Sequence, residues 1–288
     1  MRWPGSGAHF GGPSTPVSET VLIRGGGEMG SAVADTLHRA GFRVVVLDRS
    51  PPTSLRHGIA FASALLKGSI VVEGVEGVLC ESRREVLDAW SRNRVAVCVQ
   101  AMCAFAGERP DVLVEARMRG LIDPPVRIDE ARVVVAIGPG IVAGRDAHFV
   151  IESMRGPRLG RVLTHGEAEP HSGVPGEVLG FSEERILRAP REGVFRRVLD
   201  LGDFVDPGDV VGWVEGGALR SRLRGMIRGL KLSGVEVGAG HKVGDVDPRR
   251  DISLLEVRTD KAGAIGRGAL LALAGGARRP ERSPLPCN

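Results

Sequence analysis

Tyrosine is absent from this sequence of 288 residues, and all aromatic side chains together make up only 4% of it. Single-stranded nucleic-acid platforms stack bases on interleaved aromatic rings, so that role is excluded. Concentrated charge is lacking too. The formal net charge is +4, with acids and bases interspersed along the chain, unlike the clustered basic footprint of a duplex binder. Long apolar runs are missing, which excludes a bilayer-spanning helix, and "MRWPGSGAHFGGPSTP" contains no signal-peptide core. The four cysteines (Cys80, Cys98, Cys103 and Cys287) show no Cys-x-x-Cys spacing, so neither a zinc ribbon nor a dense disulfide framework is expected. These absences point to a cytoplasmic protein with reduced thiols, without nucleic-acid or membrane partners. Homo-oligomerisation is left open.

An apolar content of 42% over this length suits two modest domains with real cores. Residues 1–18 and 275–288 are rich in Gly, Pro, Ser or Arg and read as disordered ends. Between them, residues 19–176 alternate strand-length apolar runs (21–23, 43–47, 95–99, 112–114 and 133–137) with helical patterns at 31–40 and 81–93. That alternation predicts a Rossmann-like α/β domain around a parallel sheet covered on both faces. From residue 177 to 274 the pattern changes to short apolar pairs, glycines and Gly-Asp turns, with no long helix expected.

This second region contains a repeat. Residues 187–214 align with 219–246 after a gapless shift, matching Gly193 with Gly225, Gly202 with Gly234, Gly208 with Gly240 and Gly212 with Gly244. Matching glycines imply matching turns, and two such units should pack as pseudo-symmetric halves. The pattern resembles the barrel-sandwich hybrid of biotinyl and lipoyl carriers. The hairpin tip where a carrier places its lysine is Glu215-Gly216-Gly217, with Asp247-Pro248-Arg249 as its repeat counterpart. Neither offers a lysine, so an interaction module is expected instead of a swinging arm. Asp200, Asp203 and Asp209 read as turn stabilisers.

Two glycine loops carry the candidate site. Gly25, Gly27 and Gly30 fit G-x-G-x-x-G between a strand and a helix, with Asp48 ending the next strand, where it would accept from a ribose hydroxyl. Glu28 within the loop would repel a pyrophosphate unless it turns aside. Gly138 and Gly140 form a second loop at the sheet edge, followed by Asp146, His148, Glu152 and Arg155. On a helix, His148 and Glu152 would share a face, but two ligands are too few for a metal centre, and none is expected. An anion pocket of glycine N–H groups with Arg155 as counter-charge is the reading adopted, against the alternative of a solvated helix with an ordinary ion pair. Cys98 reads as core and Cys103 as a ligand-edge thiol; Glu169 and His171 lie in a loop joining the domains.

The segments "LIRGGGEMGSAVADTLHRAGFRVVVLD", "DVLVEA", "AIGPGIVAGRDAHFVIESMRGPRLGRV", "EAEPHSGVPGE" and "VGDVDPR" resemble the YqeB family, over nearly the whole chain apart from its ends. The chain departs from the family pattern at Glu28, at Ile141 and in "RMRGL". The resemblance implies a sheet domain akin to the XdhC/CoxI factors. It also implies a non-catalytic accessory role in maturing selenium-dependent molybdenum hydroxylases, with molybdenum cofactor as ligand and the hydroxylase and other maturation proteins as partners. The competing expectation is an NAD(P)-dependent oxidoreductase, with Asp48 on ribose and His148 as proton donor. No nucleophile–base–orienter set is seen, so no catalytic residue is assigned.

Overall fold

A computed structural model describes residues 19–99, 110–118 and 124–276. Cys103, Cys287, the 1–18 segment, residues 277–288 and the end of "RMRGL" lie outside them. The chain opens with β1 (Thr20–Arg24), α1 (Glu28–Arg39) and β2 (Arg43–Asp48). The short helix α2 (Ala64–Lys67) precedes the hairpin β3 (Ser69–Val72) and β4 (Val75–Leu79), then α3 (Arg83–Ser91) and β5 (Val95–Val99). β6 (Val112–Glu115), β7 (Val133–Ile137), β8 (Phe149–Ile151) and β9 (Val162–Leu163) complete one sheet. Its order is β3-β4-β5-β2-β1-β6-β7-β8-β9.

The expected strands of the sheet and both expected helices, α1 and α3, are present. Val- and Ile-rich runs buried on both faces form the parallel centre. α1 buries Ala32, Val33 and Leu37 and ends at Gly41, whose φ of +93° lets Phe42 N–H reach the Leu37 carbonyl at 3.1 Å. Cys98 is core, as expected.

The Rossmann expectation needs correction in two respects. The sheet is mixed, because β3 and β9 run antiparallel to their neighbours at its two edges. The β3–β4 hairpin turns on Glu73 and Gly74, both at positive φ; Glu-Gly lacks the usual Asn-Gly or Asp-Gly signature of such turns. In addition, the connection from β7 to β8 contains no helix. The face left uncovered there is filled from the far end of the chain, by α4 (Asp260–Gly276). Ile265, Ala269, Ala272 and Leu273 of α4 share one core with Val33 and Leu37 of α1 and with Ile137 and Ile151 of the sheet.

No long helix was expected after residue 177, because glycine disfavours helix interiors. In α4 two of the glycines, Gly266 and Gly268, mark close approaches. A Cβ on Gly266 would sit 2.5 Å from Thr36 Oγ1 and 2.9 Å from the Ala32 carbonyl oxygen, and one on Gly268 would run into the Gly160 carbonyl.

The second unit comprises β10 (Ile186–Arg188), β11 (Gly193–Arg197), β12 (Phe204–Val205), β13 (Val210–Val214), β14 (Gly217–Arg220), β15 (Gly225–Leu230), β16 (Glu236–Val237) and β17 (Lys242–Asp247). In place of the expected small barrel-sandwich hybrid there are two four-stranded antiparallel sheets, β10-β17-β15-β12 and β14-β13-β11-β16. Each draws strands from both repeats, and exchanging the repeats converts one order into the other. The glycine correspondence has a physical basis. Gly202 and Gly234, and likewise Gly208 and Gly240, are at positive φ. Cβ atoms on Gly212 and Gly244 would lie 2.6 and 2.5 Å from the carbonyls of Arg196 and Gly229. Asp203 accepts from Asp200 N–H at 2.7 Å and Asp209 from Asp206 N–H at 2.8 Å, as turn residues should.

The segment 54–57 joins the two units. Leu230 N–H donates to the Leu55 carbonyl at 3.0 Å, and His57 Nε2 lies 2.9 Å from the Leu230 carbonyl. Only the Nε2–H tautomer can make that bond, so Nδ1, which is buried without a partner, carries the lone pair. Arg258, just before α4, ties the buried Asp35 of α1 (2.7 Å) to Glu73 of the hairpin (2.6 Å).

Gly268→Ala should cost about 1–3 kcal/mol through overpacking. Gly263→Ala, whose Cβ would meet only the Arg267 side chain at 3.4 Å, should gain about 0.5–1 kcal/mol of helix propensity. Urea midpoints of the two variants, moving in opposite directions, test the close approach of α4. Burial lowers the pKa of His57, so the folded state favours the neutral ring. Stability should be complete above about pH 6.5, the ordinary histidine value, and fall as pH drops through the lower folded value. His57→Gln should flatten this loss between neutral and mildly acidic pH in the same urea assay, although His38 and His171, also lowered by burial, contribute in the same direction.

Candidate functional site

The first glycine loop is folded in upon itself. Gly25, at φ +101°, donates to the Leu47 carbonyl at 2.7 Å, and Gly26 N–H donates to Asp48 Oδ2 at 2.7 Å. Asp48 Oδ1 accepts from Arg49 N–H, so this carboxylate is bonded to the loop. A Cβ on Gly30 would collide with the Gly25 carbonyl, which explains that glycine by helix–strand packing alone. Ala62 N–H donates to the Gly26 carbonyl and Phe61 N–H to Ser31 Oγ, laying a fully buried segment over the loop. Two of the loop's N–H groups and the predicted ribose acceptor are thus engaged within the protein.

The second loop is equally engaged. Gly138 and Gly140 are at positive φ, and Gly138 N–H donates to the Ile151 carbonyl. Asp146 accepts from Val142 N–H and pairs with Arg145, whose hydrogen bond holds its carboxyl below the usual range. His148 Nδ1 accepts from Val134 N–H at 3.0 Å. Glu152 is buried, with Oε1 on Met154 N–H and Oε2 on Glu169 N–H. His148 and Glu152 flank the strand β8 instead of sharing a helix face. The neighbouring rim position belongs to the fully buried Glu115, gripped bidentately by Arg117 at 2.8 and 2.7 Å.

Of the ten residues singled out from sequence, Gly27 and Arg155 line one deep cleft. It holds about 800 Å³ between the mixed sheet and the β module, and seven basic side chains face four acidic ones around it. Its floor is built around Arg56, which is 7% exposed. One Arg56 guanidinium nitrogen pairs with Glu28 Oε1 at 2.7 Å; the other donates to the carbonyls of Leu254 and Val257 at 2.6 and 2.8 Å. Glu28 Oε1 also accepts from Thr259 N–H at 3.0 Å. The acidic residue that looked hostile to a guest is thus turned aside into a structural pair.

The β module supplies Arg185, Arg228, Lys242, Asp245 and Arg249 to the same cleft. Arg185 is buried between the Gly176 carbonyl (2.8 Å) and Asp245 (3.4 Å). Burial alone would raise the pKa of Asp247, but the hydrogen bonds of Arg249 and the charges of Arg249 and Arg228 hold it below the usual carboxylate range. Arg249 binds it at 2.6 and 2.9 Å. Arg228, 9% exposed, reaches the same carboxylate only at 3.3 Å, and its Nε is buried without a partner. Burial lowers the pKa of both Arg56 and Arg185, and the charge of Arg228 adds to that lowering in each. Arg155 caps the mouth, paired with Asp260 at 2.8 Å and packed against Gly176. Among the described residues no group of three or more His, Cys, Asp or Glu is arranged to hold a metal ion, and no helix is long and apolar enough to cross a membrane.

Sequence reasoning missed Arg56, Arg185, Arg228, Lys242 and Arg249. A usable signal lay in the repeat itself. The shift that superposes the halves sets Arg228, Lys242, Asp245 and Arg249 against Arg196, Val210, Trp213 and Gly217. Arg228 keeps the arginine of the first copy, and Lys242, Asp245 and Arg249 appear where the second copy departs from it.

Comparison with known proteins places the chain as follows. No family model matches it. It is 40% identical over 262 residues, 91% of its length, to the uncharacterized protein YqeB of Escherichia coli (strain K12), and it spans about half (48%) of that relative. Solved structures matched in part include an aspartoacylase family protein from Mesorhizobium loti (9% identity, TM-score 0.24, covering 80% of this chain and 84% of that one). A succinylglutamate desuccinylase/aspartoacylase from Rhodobacter sphaeroides (12%, 0.25, 80% and 85%) and the ectoine utilization protein EutE from Ruegeria pomeroyi (14%, 0.25, 80% and 85%) are similar in the same degree. These TM-scores do not establish a common fold. Neither the uncharacterized homologue nor these solved structures bring a dehydrogenase or molybdenum-cofactor role to this chain, and the Gly25 and Gly26 N–H groups and the Asp48 carboxylate of the glycine loop are already bonded within the protein. The expectation of molybdenum-hydroxylase maturation, with its XdhC-like sheet domain, and the NAD(P) oxidoreductase alternative are corrected accordingly. What stands from the sequence resemblance is its coarser part: the chain is a homologue of YqeB.

Proposed function

We propose that this chain binds a small organic molecule bearing carboxylate or phosphate groups, in the cleft between the mixed sheet and the β module. The observation that carries the reading is the incomplete pairing of Arg228. A guanidinium offers five donors; here it is nine-tenths buried and holds one long bond to a carboxylate that Arg249 already occupies. Buried charges are ordinarily paired and hydrogen-bonded. A cation left short of partners, beside the equally buried Arg56 and Arg185, is a site prepared for an anion from outside. Arginine forks suit planar, bidentate contact with carboxylate or phosphate oxygens.

Arg228→Gln tests this directly. Without ligand the variant should melt at or above the temperature of the parent, because Asp247 keeps Arg249 and two like-charge repulsions are relieved. Calorimetric titration with citrate and with inorganic pyrophosphate at constant ionic strength should show binding to the parent. The variant should bind at least about ten-fold more weakly, the loss of one charge-assisted contact. A variant that is clearly destabilised yet binds these anions as tightly as the parent would show that Arg228 serves only the internal pair.

A further inference from the structure

Beside the main cleft lies a second recess of about 650 Å³, continuous with it through Arg155, Gly176, Ile186 and Lys242, which line both. The two differ in charge composition. Among the described residues lining the recess are four cationic side chains (Arg155, Arg188, Lys242 and Lys261) and one histidine, His171, but no carboxylate. Ser153 is fully buried at its wall, and its Oγ has no hydrogen-bond partner. That is a donor held in place with nothing to donate to, which native interiors rarely leave unexplained.

The acids near Lys261 are occupied elsewhere. Both oxygens of Glu152 accept backbone N–H groups, Asp260 holds Arg155, and Glu28 holds Arg56 and Thr259 N–H. Burial, and then the neighbouring Arg155, lower the pKa of Lys261. His171 is likewise lowered, by burial and then by Lys261. Lys261 and His171, which face the recess together, would both be relieved by one incoming negative charge.

We infer that the ligand has two anionic ends: one held among the arginines of the main cleft, the other in this recess by Ser153, Arg188 and Lys261. The inference rests on the reading of the main cleft as an anion site. A bridge across Arg155 and Lys242 makes the second contact intramolecular once the first is formed, so the second end adds affinity without a second encounter.

The test uses the full chain and α,ω-dicarboxylates of increasing length, such as succinate, adipate and suberate, against acetate and butyrate, at constant ionic strength. A parallel arm uses α,ω-bisphosphates against monophosphates and separates carboxylate from phosphate preference. A two-ended anion of fitting length should bind about ten-fold or more tighter than its one-ended counterpart. Ser153→Ala and Lys261→Gln should remove that advantage while leaving one-ended binding unchanged. Arg188→Gln, a change at an exposed position paired only with Glu183 and the Gly240 carbonyl, should do the same without endangering the fold. Arg228→Gln should weaken both kinds of ligand. If one-ended and two-ended anions bind the parent equally, or if the recess variants keep the advantage, the second subsite is overturned and the main cleft stands. Failure of every anion to bind the parent overturns both.

Discussion

The arrangement of the whole molecule turns on one buried cation. The Arg56 guanidinium holds the Glu28 carboxylate with one nitrogen and the carbonyls of Leu254 and Val257 with another. Through it the start of α1, the insertion after β2 and the segment leading to α4 are fastened at one point. Residues adjoining it carry the weld further, Leu55 and His57 clasping both sides of Leu230 at the end of β15. Taking a guanidinium out of water is costly unless its donors are met; the two terminal nitrogens of Arg56 find their acceptors only in the assembled fold, while its Nε is buried without a partner. Arg56 therefore stabilises this particular mutual placement of sheet and module, and the cleft between them inherits its shape from that bond set.

Arg228 is paired far less fully than Arg56. It sits within the same low-dielectric region, but its partner is shared and distant. Natural proteins keep such imbalances where they serve a ligand, since an uncompensated charge costs stability that packing elsewhere must supply. The duplication within the β module supplies the setting. Two copies with exchanged strands give a symmetric scaffold, and symmetry is broken on the side that meets the mixed sheet, where Lys242, Asp245 and Arg249 replace the Val210, Trp213 and Gly217 of the first copy. Arg196, the counterpart of Arg228, remains exposed. The same repeated backbone thus presents a solvated face on one copy and a buried ionic cluster on the other.

Much of the fold was legible because local signals agreed with tertiary context. The central strands, α1, α3 and the glycine-marked turns of the repeat all fall where periodicity and glycine placement put them. The misses have separate causes. β3 belongs to a local hairpin whose Glu-Gly turn is atypical, β9 is a two-residue strand beside β8, and α4 is specified by close contacts with Ala32, Thr36 and Gly160, distant in sequence, that demand the very glycines which hide a helix. The site was misjudged for a further reason. A glycine loop with a following aspartate reads the same whether its amides face a guest or, as here, Asp48 itself, and only the path of residues 60–63 decides between them. The lining arginines are scattered from residue 56 to 258, and no short motif gathers them.

The docking of α4 against α1 has a consequence for how the polypeptide comes into being. The β module has all its strand partners between residues 186 and 247 and is complete before α4 is synthesised. The mixed sheet, begun more than a hundred residues earlier, must wait with the apolar flank of Val33 and Leu37 wet until α4 leaves the ribosome. The module is therefore the portion able to mature first, and the older strands are the part of the nascent chain that needs shielding from its neighbours in the crowded cell.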